Sequence, residues 1–197
     1  GDGLHPYRFQ WAAEGAPATW VPTLVDDAGQ FDIRDTPDPG MGLYLLGSNL
    51  IAYKAENTYT ITFIGGNEVF AAKRELTGIG LLASKALVNL GDIHYLMSNR
   101  QFLRWGGGSN VDFTFGREVF HLVYPRLHSV YKTRACGFYI QSTDEIVFLY
   151  PTISSTGHCD EAVVYSRLFN VWYGPFPVKA CVSGTGKSGS IIVINSV

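Results

Sequence analysis

The sequence predicts an all-β protein of antiparallel four-stranded blades, an incomplete β-propeller with one short helix near 117–124. Three observations carry that prediction. Short β-branched and aromatic runs, such as Leu50–Lys54 and Tyr59–Ile64, are separated by brief polar turns such as Ala55-Glu56-Asn57; this is the signature of up-and-down hairpins. The strand-and-turn pattern recurs at roughly 45 to 50 residues, the period of a propeller blade. The chain carries 11 Tyr, 12 Phe and 22 Gly, which suits pleated surfaces joined by tight turns.

Residues 1–42 read as an irregular Pro/Gly-rich lead-in packed on the sheets through Phe9, Trp11, Trp20 and Phe31. Within it, Asp35-Thr36-Pro37-Asp38-Pro39-Gly40 cannot be helix or interior strand, because two prolines remove donors and fix φ. Residues 43–197 read as a propeller-like domain of about three blades. The first blade takes Leu43–Leu46, Leu50–Lys54, Tyr59–Ile64 and Val69–Lys73. The second takes Lys85–Asn89, Ile93–Met97, Gln101–Trp105 and Asp112–Phe115. Next, Val119, Phe120, Val123 and Tyr124 have helical spacing, and Pro125 ends that helix. The third blade takes Gly137–Gln141, Glu145–Tyr150, Glu161–Ser166 and Val171–Tyr173, closed by Gly174-Pro175-Phe176-Pro177. A last hairpin pairs Val178–Val182 with Ser190–Asn195 around Gly184–Gly189. A β-sandwich is the structural competitor. About three blades cannot close a ring, so the expectation is a piece of a longer polypeptide or sheets completed by neighbouring chains.

Composition narrows the function. Only 16% of residues are charged, below the usual quarter, while 46% are hydrophobic. Part of the exterior is therefore expected to face another protein. A net charge of −2 gives no electrostatic footprint for nucleic acid. No apolar run approaches the roughly 18 residues of a membrane span. Gly1–Pro6 has neither the basic nor the apolar stretch of a signal peptide. The three cysteines, Cys136, Cys159 and Cys181, are widely spaced and odd in number. They read as reduced thiols in or near the core rather than a disulfide framework or zinc site.

Each motif with chemical potential has a plainer reading. Ser183-Gly184-Thr185-Gly186-Lys187-Ser188 resembles the end of a phosphate-binding loop, but Cys181 stands where the first glycine belongs. A β-run follows where a helix N-terminus would face the phosphates. It reads as a hairpin tip. Asp26, Asp27, Asp32, Asp35 and Asp38 could serve glycoside hydrolysis or calcium; beside prolines and glycines they read as turn and cap residues. His158-Cys159-Asp160, with Ser154 and Ser155, holds nucleophilic and metal-ligating atoms, yet adjacent residues on an extended loop do not converge. His5, His94, His121 and His128 form no metal-binding pattern, and His94 reads as surface or interface. Trp11, Trp20, Trp105 and Trp172 read as core or interface anchors, with sugar stacking as their alternative role. No catalytic, cofactor-binding or metal residue is nominated, no cofactor is expected, and the chain is read as a non-enzyme.

The segment Tyr7-Arg8-Phe9-Gln10-Trp11-Ala12-Ala13-Glu14-Gly15-Ala16-Pro17-Ala18-Thr19-Trp20 resembles the opening of β-rich tail proteins of bacteriophages. Asp32–Pro37, Gly42-Leu43, Leu50–Lys54, Asn57-Thr58-Tyr59, Gly65-Gly66, Phe70 and Gly78-Ile79-Gly80 are similar to the continuation of that pattern. Glu145–Pro151, Ala162–Tyr165 and Asn170-Val171-Trp172 resemble its final blade. The resemblance implies a propeller-containing structural protein of the nozzle (tail tubular) type, located in the virion. It implies a ring, a hexamer in that family, that contacts other tail proteins and passively meets genome DNA in the channel, with no membrane partner. Family members usually carry further blades and domains. The alternative reading is a carbohydrate- or receptor-binding β module of a tail tip, with a glycan as partner.

Overall fold

The computed structural model describes residues 5–23, 27–66, 68–180, 183–185 and 191–193. A first hairpin joins β1 (Arg8–Trp11) to β2 (Gly29–Asp32). The first sheet is β3 (Gly40–Leu46), β4 (Asn49–Lys54), β5 (Asn57–Phe63) and β6 (Phe70–Thr77). The second is β7 (Leu87–Asn89), β8 (His94–Met97), β9 (Phe102–Trp105) and β10 (Val111–Asp112). After α1 (Arg117–Val123) comes the third sheet, β11 (Cys136–Ile140), β12 (Glu145–Tyr150), β13 (Cys159–Ser166) and β14 (Val171–Ala180). β15 (Ser183–Thr185) and β16 (Ile191–Val193) pair as a second hairpin. Each four-stranded sheet is an antiparallel meander whose order in space is its order in sequence. The all-β, blade-like class and the short helix are as the sequence predicts.

The sheets stack face to face, and strand alternation decides what each face meets. The middle sheet is apolar on both sides. Leu87, Leu96, Leu103 and Trp105 share one face with His94, and Trp105 and His94 meet Tyr53 of β4. Tyr95, Phe102 and Val88 share the other and meet the third sheet: Phe102 lies 5.2 Å from Phe148 and 5.0 Å from Trp172 between ring centroids. Phe115, from the loop before α1, fills the same layer 4.8 Å from Tyr165. One core cluster thus runs through all three sheets, with Val119 and Val123 of α1 included. Each fully buried large side chain there contributes about 1.5–3 kcal/mol.

The first strands of the sheets converge: β3 lies against β7, and β7 against β11. A parallel bridge joins Lys85 to Cys136, and the Gly137 N–H donates to Lys85 O at 2.8 Å. The close approach needs a glycine at 137, since a Cβ there would meet Phe148 and Val88 at 2.9 Å.

Four elements differ from the sequence prediction. The lead-in is less irregular than its prolines suggest, because β1 and β2 form within it. They lie across the first sheet, where Phe9, Phe31 and Trp11 cover Ala52, Tyr59 and Ile61. β10 stops at Asp112 rather than reaching Phe115, because the Asp112 carboxylate accepts the Thr114 N–H and hydroxyl at 2.9 and 2.6 Å and turns the chain away;. β14 runs through Gly174-Pro175-Phe176-Pro177 instead of ending there. Among the described residues it pairs with β13 alone, so its prolines sit on an edge strand, and register shifts absorb the irregularity;. The predicted Val178–Val182 strand is therefore partly the end of β14; Cys181, Val182 and most of the Gly184–Gly189 loop lie outside the described residues.

α1 matches its predicted position. Pro125 stands in a single 3-10 turn, Tyr124–Arg126, that ends it. Phe120 stacks on Tyr124 at 5.1 Å, and the Tyr124 hydroxyl donates to Ser98 O at 2.9 Å.

Candidate assembly surfaces

Among the described residues, the polar side chains singled out in the sequence do not gather into one site. Asp32 accepts from Arg8 at 3.0 Å and Arg34 at 2.5 Å, which lowers its pKa. Asp35 accepts the Tyr59 hydroxyl at 2.7 Å and faces Arg74 at 3.5 Å. Asp27 accepts the Glu14 N–H at 2.8 Å, and Asp26 lies outside the described residues. Asp38 accepts the Glu56 N–H and the Asn57 amide; burial alone would raise its pKa, but these bonds and that with Thr36 bring it below its ordinary value. These aspartates act as local caps and ion-pair partners, each with its own company. Among the described residues no three His, Cys, Asp or Glu side chains are placed to hold a metal ion.

His158-Cys159-Asp160 does not converge, but Cys159 and Asp160 open β13 rather than lying on a loop, and successive strand side chains point to opposite faces;. Asp160 accepts the Thr152 N–H and hydroxyl, both at 2.6 Å. The Thr152 proton being committed there, Ser154 donates to Thr152 Oγ1 at 2.9 Å. Cys159 Sγ reaches Arg134 O at 3.4 Å, and Cys159 lies beside Cys136 in the core, where that contact and burial push its thiol pKa up. Of Ser183–Ser188, only Ser183–Thr185 is described, as strand backbone paired with Ile191–Val193.

Sequence reasoning missed the role of His94. It is fully buried between the first and second sheets rather than on the surface. Its Nε2 lies 2.8 Å from Leu45 O, which can only accept, so Nε2 carries the proton;. Nδ1 then accepts from Tyr53 OH at 2.8 Å. Burial lowers the His94 pKa, with the Leu45 bond opposing.

The sequence pattern places Lys54 in a strand, and the structure buries its ammonium. It donates to Ile33 O, Thr36 O and Thr36 Oγ1 at 3.0, 2.7 and 2.8 Å. Asp38 stands 3.6 Å away, and the Tyr7 ring centroid 5.1 Å away. All three ammonium protons are satisfied, and they hold the Pro-rich segment against β4.

Several large apolar side chains are exposed as well. On β3, Tyr44 and Leu46 face the second sheet, so Leu43 and Leu45 face outward;. Leu43 is 51% exposed and Leu45 58%. By register they stand opposite Ala52 and Leu50, at the margin of the area the first hairpin covers, with Phe63 and Ile64 also exposed on this sheet. At the other end of the stack, the β13–β14 turn presents Leu168 and Phe169, the latter 75% exposed. Asn170 sits there at φ 50° and accepts the Tyr165 hydroxyl, which fixes the turn. Val171 and Phe176 of β14 are exposed too.

Trp105 and Trp172 are buried in the core, as anchors. Trp105 therefore cannot stack on a glycan. Trp11 is half-buried and Trp20 exposed.

No protein-family model matches the chain, and no curated protein matches it significantly. Among the described residues no helix is long and apolar enough to cross a membrane.

Proposed function

We propose that this chain is a non-enzymatic structural component of a bacteriophage tail, of the nozzle or adaptor type, that assembles with copies of itself into a ring in the virion. The observation that carries the reading is the pair of apolar patches at opposite ends of the three-sheet stack, Leu43 and Leu45 at one end and Leu168 and Phe169 at the other. Different patches meeting head to tail make a heterologous contact, which closes into a ring when the rotation allows. The low charge supports burial of such surfaces;. The order of tail-protein-like motifs from Tyr7 to Trp172 gives the particle.

In this reading the sheets do mechanical work. Backbone ladders stiffen each blade, and the edge strands β6 and β14 find partners in neighbouring proteins instead of remaining open;. The family resemblance implies a ring of six copies around a channel for the genome DNA. Mass spectrometry of purified phage particles tests the assignment. The chain is expected in stoichiometric amount with the other tail proteins; its presence only in the infected-cell lysate would overturn it.

A further inference from the structure

A groove of about 760 Å³ opens between β2 and β6, on the outer side of the first sheet. Its size falls in the range of small-molecule sites. The half-buried rings of Trp11, Phe31 and Phe70 line it together with Asp35 and Arg74. Trp11 and Phe70 meet edge to face at 5.2 Å, and Trp11 and Phe31 lie 6.0 Å apart. The indole N–H of Trp11 donates to Asp27 O at 2.6 Å. A Cβ at Gly29 would strike this indole at 2.2 Å, so the glycine in β2 is what lets the ring pack against its partner strand.

The polar rim is equally fixed. Asp35 Oδ1 accepts from the buried Tyr59, while Oδ2 faces Arg74 Nε at 3.5 Å. A carboxylate acceptor therefore stands beside a guanidinium donor, both about two-fifths exposed, at 45% and 41%. That juxtaposition suits a vicinal diol, in which one hydroxyl donates and its neighbour accepts. Aromatic faces suit the C–H face of a pyranose ring, which is the apolar half of the same molecule.

We propose that this groove is a binding site for a neutral carbohydrate, with Trp11 and Phe70 as the apolar floor and the Asp35–Arg74 pair as the hydroxyl-reading rim. Charge selects the neutral class. Asp32, Asp35 and Glu68 line the groove with Arg34 and Arg74, and Asp32 is also paired with Arg8, so three carboxylates stand against three guanidiniums. With these charges balanced and the guanidiniums of Arg8, Arg34 and Arg74 already facing carboxylates, an anionic sugar finds no free counter-charge;.

The rim residues lie outside the two apolar patches, although Arg74 and Phe70 stand on β6, the edge strand that the proposed ring pairs; sugar binding and multimer formation are therefore measured separately. Calorimetric titration of the full chain with chitotetraose and maltotetraose, two neutral probes, tests it, with a heparin tetrasaccharide as the anionic comparison. Saturable binding of a neutral probe is expected, weakened about tenfold or more in Arg74→Gln and in Trp11→Ala. Arg74→Gln changes an exposed rim residue, so circular dichroism of that variant should match the parent even if Trp11→Ala loosens the hairpin. Failure of both neutral probes to bind at about 10 mM overturns the proposal, as does tighter binding of the heparin fragment or binding unchanged by Arg74→Gln.

Discussion

The Tyr53 hydroxyl donates to His94 Nδ1 at 2.8 Å, and this bond joins the first sheet to the second. His94 is neutral there, and its folded pKa lies below the ordinary 6.5. As pH falls below about 6.5 the unfolded chain takes up a proton that the folded chain refuses, so stability declines until the folded pKa is passed. Tyr44, Tyr53 and Trp105 pack around the imidazole, and the two tyrosine pKa values are raised by burial, so none of them titrates in that window. Urea denaturation at several pH values should show the decline. In His94→Phe the slope should vanish, and the unpaired Tyr53 hydroxyl should cost about 1–3 kcal/mol at neutral pH.

Lys54 and Asp38 stand 3.6 Å apart in the interior, with the ammonium also bound to three oxygens of Ile33 and Thr36. Lys54→Met leaves those acceptors and the carboxylate without their cation. The expected loss is about 3–5 kcal/mol by chemical denaturation. Asp38→Asn should cost less, because the Lys54 carbonyl contacts survive. The depressed Asp38 pKa adds a second acid window: its stabilisation is present above the ordinary 3.8 and is lost as pH falls through the lower folded value;.

Two glycines separate backbone crowding from side-chain crowding. A Cβ at Gly80 would lie 2.3 Å from Lys54 O and 2.4 Å from the Ala55 carbonyl carbon. At Gly137 the nearest atoms belong to Phe148 and Val88 side chains, which can shift. Gly137→Ala should cost about 1–3 kcal/mol, and Gly80→Ala should cost more, about 3 kcal/mol or above. Thermal unfolding of the two variants, run side by side, gives the order.

The strand order was legible because each blade is local: alternation and turn residues such as Gly65-Gly66 and Asp144 act within a few positions, and tight connections permit only a meander. Asp144 shows the mechanism, with φ 54° at the β11–β12 turn and its carboxylate held by Tyr139 and Arg167. The first hairpin was not legible, since β1 and β2 are separated by 17 residues (positions 12–28) and pair through contacts with the first sheet. His94 and Lys54 hid for a related reason. A polar residue in a strand reads as solvent-facing unless its partners are known, and theirs come from segments 41 and 18 residues away for Tyr53 and Thr36. The groove, built by Trp11 on β1, Phe31 on β2 and Phe70 on β6, could not be read from any one stretch.

The apolar ends give the most direct measurement of the central claim, that this stack of blades exists to join copies of itself. Size-exclusion chromatography with light scattering should find the full chain as a closed multimer, several times its 21.7 kDa. Leu45→Glu and Phe169→Glu should each return it to single chains with an unchanged β spectrum. A parent protein that elutes at 21.7 kDa at every concentration, and meets no tail protein when mixed with them, would contradict the account.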